Sequence, residues 1–206
     1  MTIALDVALL LPAEASALAV GLNRRLAGGR PDGLTLDETH LPHVTLVQLF
    51  ANQDRLAELY RRVEEAAGVA PLDLRVRGLD EESGTVMLVF EPNEPLRRLH
   101  EALMGAVQEF EVAGSVEAFC SRPPGGNWPS GPGSDDRPPR ERDVNWVATY
   151  RDEHALANFL PHVTVGHGTG AGPVEPFSFR ADRLAVCHLG RFCTCRVILH
   201  ERRLAG

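Results

Sequence analysis

Apolar and polar positions along the chain change period several times, and each change marks an element. Residues 3–11 are an apolar run broken only by Asp6 and stopped by Pro12, the pattern of a buried strand. A helix is predicted over 13–27, closed by Gly28 and Gly29. Residues 43–50 read as a second strand, after which Asn52 or Asp54 can cap a helix over about 54–67 that ends at Gly68. Strands are predicted near 72–79 and 85–90, joined by a turn-rich Asp-Glu-Glu-Ser-Gly. Leu96, Leu99, Leu103, Val107 and Phe110 then recur at helical spacing over 94–111. A helix ending near Phe159, a strand over 162–168 and two strands over about 177–188 and 192–201 complete the order.

Between Gly114 and about Asp143 this patterning stops. The segment is dense in Pro, Gly, Ser and charge, a composition that predicts a solvated loop or insertion at 114–143 rather than packed core. A lid over a site, anchored by Trp128, is the alternative.

Leu-Pro-His-Val-Thr is written twice, at 41–45 and at 160–164, more than half the chain apart. That distance is far beyond a solenoid period and suggests two related halves instead of an array. On a strand, residues two apart share a face, so His43 projects with Thr45 and His162 with Thr164, while Val44, Leu46, Val163 and Val165 point under the sheet. Pro42 and Pro161 stand at strand starts, where a missing backbone donor costs least. With one such strand in each half, the expected architecture is α+β: one domain over 1–206, bilobal, with a pseudo-twofold arrangement of two mainly antiparallel sheets backed by helices around a central cleft.

Symmetry of that kind would bring both motifs to the cleft. Two imidazoles with unperturbed pKa near 6.5 can serve there as acid and base. In-line displacement at phosphorus needs such a pair: one His takes a proton from the attacking oxygen, the other protonates the leaving oxygen, and Thr hydroxyls donate to the non-bridging oxygens. Thr is a poor metal ligand beside Asp, Glu or a further His, so the motifs argue for catalysis without a cofactor or metal.

Composition narrows the setting. The 206 residues carry 21 Lys plus Arg against 28 Asp plus Glu, a formal charge of −7, with no basic run that could wrap a long polyanion. A nucleic-acid partner is therefore expected to be met at an end or as a small fragment. The apolar N-terminus lacks a basic leader and is interrupted by Asp6 and Glu14, which favours a strand and helix over a secretory signal. No apolar run reaches the ~18 residues a membrane span needs, and a cytoplasmic monomer without membrane contact is expected. Cys120, Cys187, Cys193 and Cys195 are too few for a disulfide framework. Cys193 and Cys195, placed on one face of a strand, read as small buried hydrophobes. A zinc set of Cys187, His188, Cys193 and Cys195 is the competing reading.

The paired motifs His43-Val44-Thr45-Leu46 and His162-Val163-Thr164-Val165, each preceded by Pro, resemble those of the 2H phosphoesterase superfamily, which includes bacterial 2′-5′ RNA ligase-like proteins and cyclic nucleotide phosphodiesterases. The resemblance implies a nucleotide or RNA terminus as substrate, with 2′,3′-cyclic phosphates hydrolysed to 2′-phosphomonoesters or 2′-5′ linkages handled reversibly. It further implies His43 as proton donor, His162 as acceptor, and Thr45 and Thr164 as phosphate ligands. Five identical letters cannot themselves say which His gives the proton. A binding module that keeps the pocket without turnover is the alternative.

Other residues are expected to matter less. Strand alternation puts His167 on the face of Val163 and Val165, away from the cleft. His40 could reach a ligand from its loop, and His100 and His154 read as ordinary helix residues. Base stacking and phosphate contact are sought among Phe50, Trp128, Trp146, Phe192, Arg191 and Arg196.

Overall fold

The computed structural model of the chain describes residues 1–27, 33–68, 70–81, 84–122 and 138–205. Eight strands are described: β1 (Thr2–Leu10), β2 (His43–Asn52), β3 (Leu72–Asp80), β4 (Thr85–Phe90), β5 (His162–His167), β6 (Phe177–Ala181), β7 (Arg183–Leu189) and β8 (Cys195–Arg203). They form two four-stranded antiparallel sheets, in the orders β2-β1-β7-β8 and β5-β4-β3-β6. The helices are α1 (Ala13–Ala27), α2 (Leu56–Ala66), α3 (Glu94–Val107), α4 (Val116–Cys120) and α5 (Glu141–Thr149). The α+β class with two antiparallel sheets is as the pattern predicts.

The halves are not consecutive, however. Each sheet takes two strands from the N-terminal part of the chain and two from the C-terminal part. The predicted single strand over 177–188 breaks at Asp182, because β6 completes one sheet and β7 enters the other. The two motif strands, β2 and β5, are edge strands of their sheets and lie against each other.

Local pattern explains most elements. β1 is buried on both faces, with Ile3, Leu5, Val7 and Leu9 in the main core and Ala4, Ala8 and Leu10 in smaller clusters on the other side, which is why its sequence runs apolar without alternation. β3 alternates, with Leu72, Leu74 and Val76 in and Asp73, Arg75 and Arg77 out. On α3, Leu96, Leu99, Leu103 and Val107 are buried, and the Asn93 side chain accepts from the Leu96 amide as N-cap. No helix among the described residues is long and apolar enough to cross a membrane.

The segment 114–143 is only partly the loop its composition suggests. Its first part holds α4, whose Ala118 and Phe119 pack with Ala4, Phe50, Val147 and Leu189 in a small satellite core, and its last residues begin α5. The Phe119 ring meets Phe50 edge-on at 5.9 Å. Residues 123–137, with Trp128, and the helix stop at Gly28 and Gly29 lie outside the described residues.

Both motif strands carry a β-bulge at the same place. β2 pairs with β1 as Ala8 to Thr45 and then Val7 to Val47, so Leu46 is extra; β5 pairs with β4 as Met87 to Thr164 and then Val86 to Gly166, so Val165 is extra. Side chains claim the bulge carbonyls. The Leu46 oxygen accepts from His100 Nδ1 at 2.6 Å and from the Tyr150 hydroxyl at 3.2 Å, and the Val165 oxygen accepts from Asn23 Nδ2 at 2.8 Å.

Asn23 is buried on α1 and also donates to the Leu34 carbonyl and accepts from the Leu36 amide, both at 2.9 Å. It ties helix, bulge and the cleft-lining residues Leu34 and Leu36 together. Asn23→Ala leaves those backbone groups buried without partners, at about 1–3 kcal/mol each in the worst case. The expected outcome is a loss of ~2–4 kcal/mol in denaturant unfolding, with no change in m.

Candidate active site

The two edge strands open onto a cleft of about 570 Å³ whose lining includes His43, Thr45, His162 and Thr164. All four motif residues therefore meet in one place. Each histidine is oriented by the same local contact. His43 Nδ1–H donates to the Leu41 carbonyl at 2.7 Å, and His162 Nδ1–H donates to the Leu160 carbonyl at 2.8 Å. With Nδ1 occupied, Nε2 is the reactive nitrogen of both rings: a lone pair when the ring is neutral, an N–H when it is charged.

The bulges extend this symmetry beyond the motifs. Past the extra residue, Gln48 faces Asp6 on β1, and His167 faces Thr85 on β4. Gln48, His167 and Thr85 all line the cleft. His167 is thus a cleft residue, contrary to simple alternation, because the bulge at Val165 reverses which face it takes. Its ring lies 5.4 Å from that of Phe192.

Asp6 is where the two half-sites differ. It is wholly buried, and its Oδ2 accepts from the Thr45 hydroxyl and from Gln48 Nε2, each at 2.7 Å, while lying 3.5 Å from His43 Nε2. Its counterpart beside the second motif is the hydroxyl residue Thr85. In the sequence Asp6 stands only as an interruption of an apolar run. The available signal was a carboxylate in the middle of a strand otherwise buried on both faces, a placement that needs a buried partner.

Asp6 and burial together bias the pair in opposite directions. Burial disfavours the charged form of His43, but the hydrogen bond and negative charge of Asp6, aided by the Leu41 carbonyl, hold its pKa above the ordinary histidine value. Burial pushes His162 below that value, and the positive charge of His43 adds to this against the opposing pulls of the Leu160 carbonyl and of Asp6. At neutral pH the arrangement favours an imidazolium at His43 and a neutral imidazole at His162.

The walls are partly aromatic. Phe192 and Cys193 lie in the left-handed region, with φ of 63° and 53°, in the turn before β8. Such a pair of non-glycine residues costs of order 1–3 kcal/mol each and is typically kept for a purpose. The Phe192 amide donates to buried Asp143 at 3.2 Å, and the Arg140 guanidinium sits 3.7 Å from the Phe192 ring centroid. Trp146 stacks on His154 at 3.6 Å, both lining the cleft. Of the aromatic and cationic candidates, Phe192 and Trp146 reach the cleft. Phe50 is buried in the satellite core, Arg196 donates to the Thr39 carbonyl, and Arg191 lies beside Phe192 without lining the cleft. The cleft cations missed by sequence are Arg140 and Arg142.

The remaining histidines sort by contact. His40 is buried against Asp37 at 2.9 Å, outside the cleft. His100 is no ordinary helix residue, since its Nδ1 serves the Leu46 bulge and its Nε2 accepts from the Leu156 amide at 2.8 Å. His154 falls in a π-helical turn, Tyr150–His154, that continues α5. Cys193 is in a turn rather than on a strand face with Cys195. The proposed zinc set does not converge either, because adjacent Cys187 and His188 face opposite sides of β7. The group that does converge among the described residues is Asp6, His43 and Cys195, whose donor atoms all lie within 4.8 Å of one another.

Comparison with known proteins supports what the paired motifs imply. Residues 24–120 match the family model of the 2′-5′ RNA ligase superfamily. That match spans a little under half of the chain. The matched segment contains the first motif, and the second lies beyond its end. No curated protein matches. Among solved structures, the chain is similar to TT0787 of Thermus thermophilus at 20% identity and a TM-score of 0.58, with 99% of each chain covered. It is also similar to a protein described as a phosphoesterase, at 16% identity and a TM-score of 0.56, again over 99% of each chain. At these identities the likeness is one of fold.

Proposed function

We propose that the protein is a phosphoesterase acting on 2′,3′-cyclic phosphates or 2′-5′ phosphodiester linkages of nucleotides or RNA ends, with His43 as general acid and His162 as general base and no metal in the reaction. One observation carries this reading: two histidines, oriented alike by backbone carbonyls, share a cleft and are biased in opposite directions, His43 toward its charged form by Asp6 and His162 toward its neutral form by burial. That is the division of labour in-line displacement requires.

For a 2′,3′-cyclic phosphate, neutral His162 takes a proton at Nε2 from the attacking water. The new P–O bond forms opposite the bond to the 3′ oxygen, which breaks and takes the Nε2 proton of His43. The product is a 2′-phosphomonoester, and proton exchange with solvent resets both rings. Thr164 donates to a non-bridging oxygen, and Thr45 does so on turning from Asp6, where its hydroxyl is held at 2.7 Å in the free protein. Arg142 and Arg140 at the cleft wall favour an anionic substrate.

The test is hydrolysis of a panel of 2′,3′-cyclic nucleotides, 2′-5′ dinucleotides and cyclic-phosphate-ended RNA in excess EDTA. Turnover of at least one class, with a 2′-phosphate as the product of the cyclic substrates, is expected. Inertness to the whole panel, or activity that vanishes with EDTA alone, overturns the reading.

Phe192 is the proposed base platform, since its ring is fixed by Asp143, Arg140 and a strained backbone. Phe192→Ala is expected to raise KM roughly 10-fold with kcat little changed, in keeping with ~1–3 kcal/mol for base stacking. Steady-state kinetics on a cyclic nucleotide reads this directly.

A further inference from the structure

We propose that Asp6, His43 and Cys195 form a site for one thiophilic divalent cation, zinc by its donor set, and that the cation inhibits the enzyme by occupying the nitrogen the acid needs. The binding stands apart from the phosphoesterase reading; the inhibition rests on it. The three donor atoms lie within 4.8 Å of one another, and His43 Nε2 is 3.5 Å from Asp6 Oδ2. Tetrahedral zinc, with bonds of about 2.0–2.3 Å, needs donors about 3.3–3.7 Å apart; His43 Nε2 and Asp6 Oδ2 already stand at that spacing, with the thiol within 4.8 Å.

Three further observations favour a metal. Asp6 is wholly buried, yet its Oδ1 has no hydrogen-bond partner among the described residues. Two of the ligands already carry the supports a metal-bound side chain needs: His43 gives its other N–H to the Leu41 carbonyl, and Asp6 is held by Thr45 and Gln48. His43 lines the cleft, which supplies access from solvent and leaves a fourth position for water. One thiolate, one imidazole and one carboxylate suit zinc and disfavour magnesium and calcium, which take all-oxygen sets. Binding displaces the buried thiol proton of Cys195 to solvent.

The full-length, EDTA-treated and desalted protein is titrated with zinc chloride by calorimetry and with cobalt(II) by absorption spectroscopy. One zinc per chain, a thiolate-to-cobalt charge-transfer band and no magnesium binding are expected. Cys195→Ser should weaken zinc by at least ~100-fold and abolish the band, because even changes to the groups behind the ligands cost about 10–100-fold. Cys195→Ser should also keep basal turnover of a cyclic nucleotide while losing sensitivity to zinc. Should that variant not fold, Asp6→Asn supplies the same binding comparison. Absence of binding, or binding unaltered by both substitutions, overturns the site even where hydrolysis is intact. Binding without any hydrolysis supports the site and overturns the phosphoesterase reading instead.

Discussion

Replacing His43 or His162 with alanine is expected to lower turnover of a 2′,3′-cyclic nucleotide by roughly 10²–10⁴-fold each, the usual worth of a placed acid or base. The double variant should fall little further than the worse single one, since the two act as a unit. Substrate choice separates their roles. An aryl phosphodiester, whose leaving group departs without a proton, should restore much of the rate to His43→Ala and none to His162→Ala. The reverse pattern would exchange the roles, and full activity in either variant would remove acid–base catalysis from the account. Unchanged thermal unfolding is the control, because both rings sit at the cleft and not in the main core.

Asp6→Asn should change the pH profile more tellingly than the rate. The signs follow from the two histidines. The proposed mechanism needs neutral His162, which is lost as pH falls through a pKa held below the ordinary value by burial. It also needs charged His43, which is lost as pH rises through a pKa that Asp6 holds above the ordinary value against burial. Without the carboxylate, burial dominates at His43, so the alkaline limb of kcat moves to lower pH and the plateau narrows. At neutral pH the loss should be smaller than the roughly 10²–10⁴ of deleting the ring. A role confined to packing would lower kcat equally at every pH and leave the limb in place. The substitution keeps the shape of the side chain and can still accept from Thr45, which isolates the charge.

Much of this site was legible in the sequence because its chemistry is local. His-x-Thr on a strand, twice, needs only the period of two to place four side chains on one face. Asp6 was not legible as a partner, since Thr45 and Gln48 reach it only through the pairing of β1 with β2. His167 was misplaced for a related reason: alternation fails after an extra residue, and no turn chemistry announces one at Val165. His100 reads as an ordinary helix residue and Asn23 carries no signal at all, because their partners are backbone oxygens 54 and 142 residues away. At the scale of the fold, helices and strands followed periodicity, but the exchange of strands between sheets has no periodic signature and shows only in the pairing.

The two bulges also say where the cleft can be altered. Up to Thr45 and Thr164 the strands obey one count, and beyond Leu46 and Val165 they obey another. Positions 48 and 167 therefore form a second pair of cleft addresses, filled here by unlike residues, Gln48 and His167, while the first pair is filled alike. Chemistry is invested in the positions before the offset, and individuality in those after it. A library aimed at altered substrate preference has its natural targets there, and not at 47 and 166, where a naive count along the strands would aim.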